Sequence, residues 1–147
     1  MDKELKERIK RNKELVKKYP FLVIKINPWT EEALYKKDYD YEYIWWDDIP
    51  KGWKEAFGEQ MCDELLEILK EADYVNEYKI LQIKEKFGSL RIYDCGVPES
   101  IQDKYNAWLN KYEELSENTC INCGKPSTHF TRGWVLPMCN ECNNDEQ

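Results

Sequence analysis

Histidine is nearly absent: His129 is the only one in 147 residues. With imidazole so scarce there is no His-Glu metal helix, and neither a G-x-S-x-G nor a P-loop motif is present. The carboxylates are many, but they form no recognisable acid/base pair. Catalysis is therefore not expected. Long apolar runs are missing too, and nothing approaches the roughly 20 residues of a membrane span. The opening Met1-Asp2-Lys3-Glu4-Leu5-Lys6 lacks the apolar stretch of a secretory signal. A reducing cytoplasm is the expected location, with no membrane partner. Positive charge is in the minority, 22 Lys and Arg against 29 Asp and Glu, for a net charge of -7. Such a chain is not a general binder of polyanions. There is no internal repeat and no low-complexity linker.

What the chain does have is a patterned set of cysteines. Cys120-x2-Cys123-Gly124 is followed, fifteen residues on, by Cys139-x2-Cys142. Two thiolates separated by two residues grip one edge of a tetrahedron from a tight turn, and a second such turn supplies the opposite edge. Gly124 suits the first turn, where positive φ is often needed. Two disulfides or four free thiols are the alternatives, and a reducing compartment weighs against disulfides. The expected cofactor is one structural Zn bound by Cys120, Cys123, Cys139 and Cys142. Four protein ligands leave no open position for water or substrate. Four bound thiolates and one Zn(II) would lower the net charge by a further two, to about -9. Cys62 and Cys95 stand alone and read as small buried apolar residues.

Apolar spacing predicts three main helices. Over residues 3–19, Leu5, Ile9, Val16 and Tyr19 share a face with Leu15 beside them, and Tyr19-Pro20 ends the run. This segment is locally basic, which reads either as a solvated face or as an arm for an acidic partner. After Gly52, Trp53, Phe57, Met61, Leu65, Ile68, Leu69 and Ala72 mark a central core helix. Pro98-Glu99-Ser100 opens a third, with Ile101, Tyr105, Trp108, Leu109, Tyr112 and Leu115 on one side. Phe21 to Ile26 reads as a short strand.

Two stretches carry most of the remaining signal. In residues 29–50, acid and tyrosine alternate from Asp38 to Tyr43, as on a strand with one aromatic and one acidic face. Asp38, Asp40, Glu42, Trp45, Trp46, Asp47 and Asp48 are the candidate partner surface, with one of the two adjacent tryptophans expected near solvent. Between 78 and 93, Gly88-Ser89 separates two apolar-rich runs and predicts a hairpin with a type II′ turn. Leu81, Ile83 and Phe87 are expected to face one way. Lys84, Lys86 and Arg91 fall near the turn and are candidate anion contacts. The expected fold class is α+β: a small antiparallel sheet, the hairpin around 78–93, packed with three main helices. A four-cysteine zinc ribbon or knuckle follows. A single domain 1–147 is expected, with a body over 1–118 and a zinc-binding unit over 119–147. Trp134 to Met138 are expected to tuck that unit onto the body.

Tyr19-Pro20, Gly52-Trp53, the string Lys84-Glu85-Lys86-Phe87-Gly88-Ser89-Leu90-Arg91-Ile92-Tyr93, and the terminal Cys120-x2-Cys123-Gly124 … Cys139-x2-Cys142 form a recognisable set. Over roughly residues 19–142 the chain resembles a family of small uncharacterised bacteriophage and prophage zinc-binding proteins. The hairpin string is the specific part of the likeness, and the Tyr- and Asp-rich stretch 29–50 is outside it. The resemblance implies a phage-associated setting and zinc, and it implies no activity. The expected function is a zinc-stabilised protein-interaction module, an accessory or inhibitor of a host protein in the host cytoplasm. A nucleic-acid-binding zinc ribbon, or a protein that sequesters a nucleotide or other small molecule, are the alternatives.

Overall fold

The computed structural model describes residues 2–25, 39–131, 133 and 135–142. Its architecture is α+β, with three main helical runs and a small two-stranded antiparallel sheet. Helix α1 spans Lys3–Lys18. The Asp2 carboxylate caps it by accepting from the Glu4 N–H at 3.2 Å, and Lys17 and Lys18 sit where the helix dipole favours cations. Pro20 stops it, as expected.

The chain does not then extend into a strand. Pro20–Leu22 is a 3₁₀ turn that buries Phe21 and Leu22, and the remaining residues of the expected strand up to Lys25 pair with nothing in a sheet. Proline pre-sets φ for such a turn, and this overrides the β-branched composition. Ile26 lies outside the described residues.

The second helical run begins at α2, Lys51–Trp53, widens into a π-helical turn at Lys54–Gly58, and continues as α3, Glu59–Glu71. Its inward side matches the expected face, with Trp53, Phe57, Met61, Leu65 and Leu69 buried and Cys62 beside them. Burial holds the Cys62 thiol up at about 12, so it behaves as an inert apolar group, whereas Cys95, expected to be buried as well, is exposed. Helix α4, Glu99–Glu117, packs across α3 through Ile101, Tyr105, Trp108 and Tyr112.

The core is largely aromatic. A chain of ring contacts runs Tyr19–Phe21–Tyr78–Tyr105–Trp108–Tyr112–Phe57, with centroids 5.5 to 6.2 Å apart. Each such pair adds about 0.5–1.5 kcal/mol beyond the area it buries. Along this chain of rings the polar ends are satisfied. The Trp108 indole donates to the Met61 carbonyl at 2.9 Å, the Tyr78 and Tyr105 hydroxyls meet at 2.5 Å, and Tyr105 donates to Asp94 at 2.7 Å. Much of the tyrosine and tryptophan content is thus core material.

Strands β1, Ile80–Lys86, and β2, Ser89–Asp94, pair antiparallel with Lys86 opposite Ser89. The loop is therefore Phe87-Gly88, one residue earlier than expected. Both residues have positive φ, +53° and +84°, the signature of a type I′ turn rather than II′. An irregularity between Ile80 and Gln82 shifts the pleat, so Ile80 and Ile83 are buried, Leu81 is half-buried and Phe87 is 76% exposed. Leu81, Ile83 and Phe87 do not share a face. The outer edge of β2 meets α4, where the Leu90 N–H donates to the buried Ser116 hydroxyl at 2.8 Å.

Candidate metal centre

The four cysteines arrive from two turns. After α4, the Gly124 N–H donates to the Cys120 carbonyl at 3.0 Å and the Cys120 N–H to the Lys125 carbonyl at 2.7 Å, which folds Cys120 to Lys125 back on itself. Gly124 has the positive φ, +84°, read from the sequence. Strands β3, His129–Phe130, and β4, Pro137–Met138, pair antiparallel and deliver Cys139 to the second turn. The Ile121 N–H donates to the Pro137 carbonyl at 2.9 Å and ties one turn to the other.

All four sulfurs lie within 4.8 Å of one another, with Cys123 Sγ 3.6 Å from Cys139 Sγ, and all four thiols are free. A tetrahedron with metal–sulfur bonds of about 2.3 Å has edges of about 3.8 Å, so this cage fits a thiolate-bound ion of that size. The site can hold a metal ion through four sulfurs. Burial pushes the Cys120 thiol up, but backbone N–H groups of Cys123, Cys139 and Asn122 overcome it and hold the thiol at about 6. The Asn122 side-chain amide donates to Cys142 Sγ at 3.2 Å. Cys123 receives help from the Lys125 backbone, yet burial and the neighbouring sulfurs push it up to about 12. The cage thus favours the Cys120 thiolate unaided, while Cys123 and Cys142 are held above the ordinary thiol value and would need a cation to stabilise them as thiolates. His129 stands outside it: its Nδ1 pairs with the Thr128 hydroxyl at 2.8 Å, and it is not one of the clustered ligands.

The junction between this unit and the helices was not read from the sequence. The Gly52 N–H donates to the Ile121 carbonyl at 2.9 Å, and the buried Trp53 indole donates to the Thr119 carbonyl at 3.1 Å. A Cβ on Gly52 would lie 2.2 Å from the Cys120 carbonyl oxygen, and one on Gly124 would lie 2.8 Å from the Gly52 carbonyl oxygen. Gly52-Trp53 is thus the seat of the first cysteine turn. Of the residues expected to tuck this unit onto the body, Trp134 lies outside the described residues and Val135 meets the hairpin turn, where a Cβ on Gly88 would lie 3.1 Å from its carbonyl oxygen, whereas the Pro137 carbonyl bonds Ile121 within the unit.

No family model, curated protein or solved structure matches this chain. Its chemistry is read from the arrangement itself.

Trp45, Trp46, Asp47 and Asp48 of the candidate partner surface are used internally. Asp38 lies outside the described residues. From Tyr39 to Ile44 there is no strand; Tyr41 has φ of +62°, and a 3₁₀ turn follows at Trp45–Asp48. Trp45 and Trp46 are both buried, so neither is left near solvent. Asp47 accepts from the Ile44 N–H at 2.9 Å and from the fully buried Asn12 amide at 3.1 Å, and it pairs with Arg11. Arg8 donates to the Glu42 carbonyl at 2.9 Å, and Lys13 lies over the Tyr41 ring. The acidic counterpart of the basic helix α1 is therefore its own chain. Asp40 stays exposed and caps a turn by accepting from the Glu42 N–H at 3.0 Å, while Asp48 accepts from the Tyr43 hydroxyl. Burial outweighs the stabilising Tyr43 bond and leaves the Asp48 carboxyl above its ordinary range.

Lys84 and Arg91 face each other across the hairpin. Arg91 pairs with Glu113 of α4 at 3.2 Å, whereas Lys84 and Lys86 lie over the rings of Tyr93 and Phe87. Arg91 is thus held against α4, while Lys84 and Lys86 line one groove at the turn. Phe87, Phe130 and Val135, exposed together at the hairpin tip, escaped the sequence reading because 43 or more residues separate the first from the other two.

Proposed function

We propose that the protein is a zinc-stabilised interaction module that binds another protein and performs no chemistry on it. The four-sulfur cage supports this reading. Its donors are soft, which favours zinc over magnesium or calcium, and four protein ligands close a tetrahedral shell. Metal in such a shell folds the chain and leaves other surfaces to do the binding. The phage resemblance supports a bacterial host cytoplasm as its setting, with the module an accessory or inhibitor of a host protein. Nucleic acid or a nucleotide is the second reading, favoured by the lysine–aromatic pairs Lys84–Tyr93 and Lys86–Phe87, and opposed by the net charge of -7.

Metal analysis of freshly purified, reduced protein tests the first half. The expected result is about one zinc per chain, lost in Cys123→Ser together with folding of the C-terminal unit. A metal-free chain with an intact C-terminal unit would refute it. Capture of a specific host protein by the immobilised chain, with an unchanged 260/280 nm absorbance ratio, tests the second half.

A further inference from the structure

Phe87 is the most exposed of the large apolar side chains among the described residues, at 76%, and it has positive φ. The first loop position of a type I′ turn usually takes Asn, Asp or Gly, because a Cβ is disfavoured there. The ring does little for the fold in return, since it stands in solvent. Backbone held in a disfavoured region, with its side chain presented outward, is a pointer to function. A second observation comes from a distant part of the chain. Phe130 and Val135 are 48% and 39% exposed, and they flank the same turn: a Cβ on Gly88 would lie 3.2 Å from the Phe130 ring and 3.1 Å from the Val135 carbonyl oxygen. Beside the turn runs a groove of about 320 Å³ lined by Lys84, Glu85, Lys86, Phe87, Gly133 and Val135.

The charges around the groove decide its occupant. Among the described residues neither Lys84 nor Lys86 forms an ion pair, while Glu85, half-buried in the same groove, accepts from the Gly88 N–H at 2.8 Å, so two lysines face one carboxylate. The tip is thus a locally positive, apolar end on a chain of net charge -7. We infer that this tip docks a peptide segment of the partner protein in which apolar side chains are flanked by carboxylates. Phe87 and Phe130 anchor the apolar side chains, and Lys84 and Lys86 set the register. Two lysines neutralise too few phosphates to hold a nucleic acid against the charge of the whole chain, and Val135 offers a phosphate nothing. This inference rests on the interaction-module reading and names the surface that reading needs.

The test is an amide NMR titration of the zinc-loaded full chain with three labelled probes: a short peptide alternating Leu and Glu, its Leu and Lys counterpart, and single-stranded oligo(dT). The expected result is that only the acidic peptide shifts the amides around Phe87, Phe130 and Val135. Phe87→Asn should weaken that binding about ten-fold or more while leaving the melting temperature equal or higher, a separation that a structural role would not produce. Lys84→Gln with Lys86→Gln should weaken binding and flatten its salt dependence. Equal binding by Phe87→Asn, shifts elsewhere, or no shift with any probe overturns the inference. Stronger shifts of the tip by oligo(dT) overturn both it and the protein-binding reading. If Phe87→Asn still captures the same host protein as the unaltered chain, the module reading survives and only the tip is wrong.

Discussion

Gly52 stands where no other residue fits. Alanine there would drive its Cβ to 2.2 Å from the Cys120 carbonyl oxygen and 2.6 Å from atoms of Ile121, all backbone that cannot rotate away. Gly52→Ala should therefore cost at least the roughly 1–3 kcal/mol of an overpacked core and loosen the cysteine turn, seen as a lower melting temperature and faster zinc loss to a chelator. Asp47 is the second such residue. Truncating it to alanine strips the partner from the Ile44 N–H and from the buried Asn12 amide, so Asp47→Ala should cost roughly 1–3 kcal/mol in a denaturant melt. Asp40→Asn, on an exposed side chain nearby, should change stability by no more than about 0.5 kcal/mol. These two acids look alike in the sequence. What separates them is Asn12, thirty-five residues from Asp47, and no local pattern announces such a pairing.

At the scale of elements, periodicity was a good guide wherever one face is buried for a dozen residues or more. The faces of α3 and α4 were legible for that reason; the hairpin was legible from its glycine turn signal although its faces were not, and the cysteine cage because C-x2-C is a local geometry. The period-2 alternation of Asp and Tyr misled because it was not a sheet pattern: the segment wraps α1, and its tryptophans turn inward. The hairpin turn was displaced by one residue because Phe is a poor choice at positive φ, so the rule pointed past it to Gly88. Gly88→Val should cost at least about 1–2 kcal/mol from φ alone, before its contacts with Phe130 and Val135 are counted, and a thermal melt measures it. The α3–α4 contact makes a pH prediction. Burial raises the Glu64 carboxyl, but the Lys111 ammonium at 2.6 Å and the Tyr112 hydroxyl outweigh it and hold it below the ordinary value of 4.5. A depressed carboxyl contributes stability in full above its unfolded value, and loses it as pH falls through the lower folded one. Glu64→Gln should therefore remove stability at neutral pH and narrow the gap to the unaltered chain as the solution is acidified below 4.5, in melts across that range.

For the whole molecule, the metal cage and the helices are one mechanical unit, joined at Gly52-Trp53. The Trp53 side chain is fully buried in the core, yet its indole N–H ends on the Thr119 carbonyl beside Cys120. Binding of a metal ion in the cage would expel protons, because Cys123 and Cys142 both sit above the ordinary thiol value of 9.0 in the metal-free cage. Zinc addition to reduced, metal-free protein at neutral pH should release a proton from each of them, and affinity should fall as pH drops, since protons then compete for the sulfurs. Removing the metal should open the cage first. Amides of Gly52, which bonds across the junction to the Ile121 carbonyl, and of Ile121 and Gly124, which bond within the cysteine unit, should lose exchange protection together. Amides of Leu65 and Leu69 in α3 and of Tyr105 and Trp108 in α4 should keep theirs, because the aromatic core around them contains no metal ligand. Hydrogen exchange with and without chelator reads both sets in one experiment. If α3 and α4 lose protection along with Gly52, the junction transmits the metal's folding free energy through the whole body, and the helices cannot stand without the cage. If Gly52 keeps its protection while the cysteine turns lose theirs, the glycine seat is preformed and zinc merely closes over it.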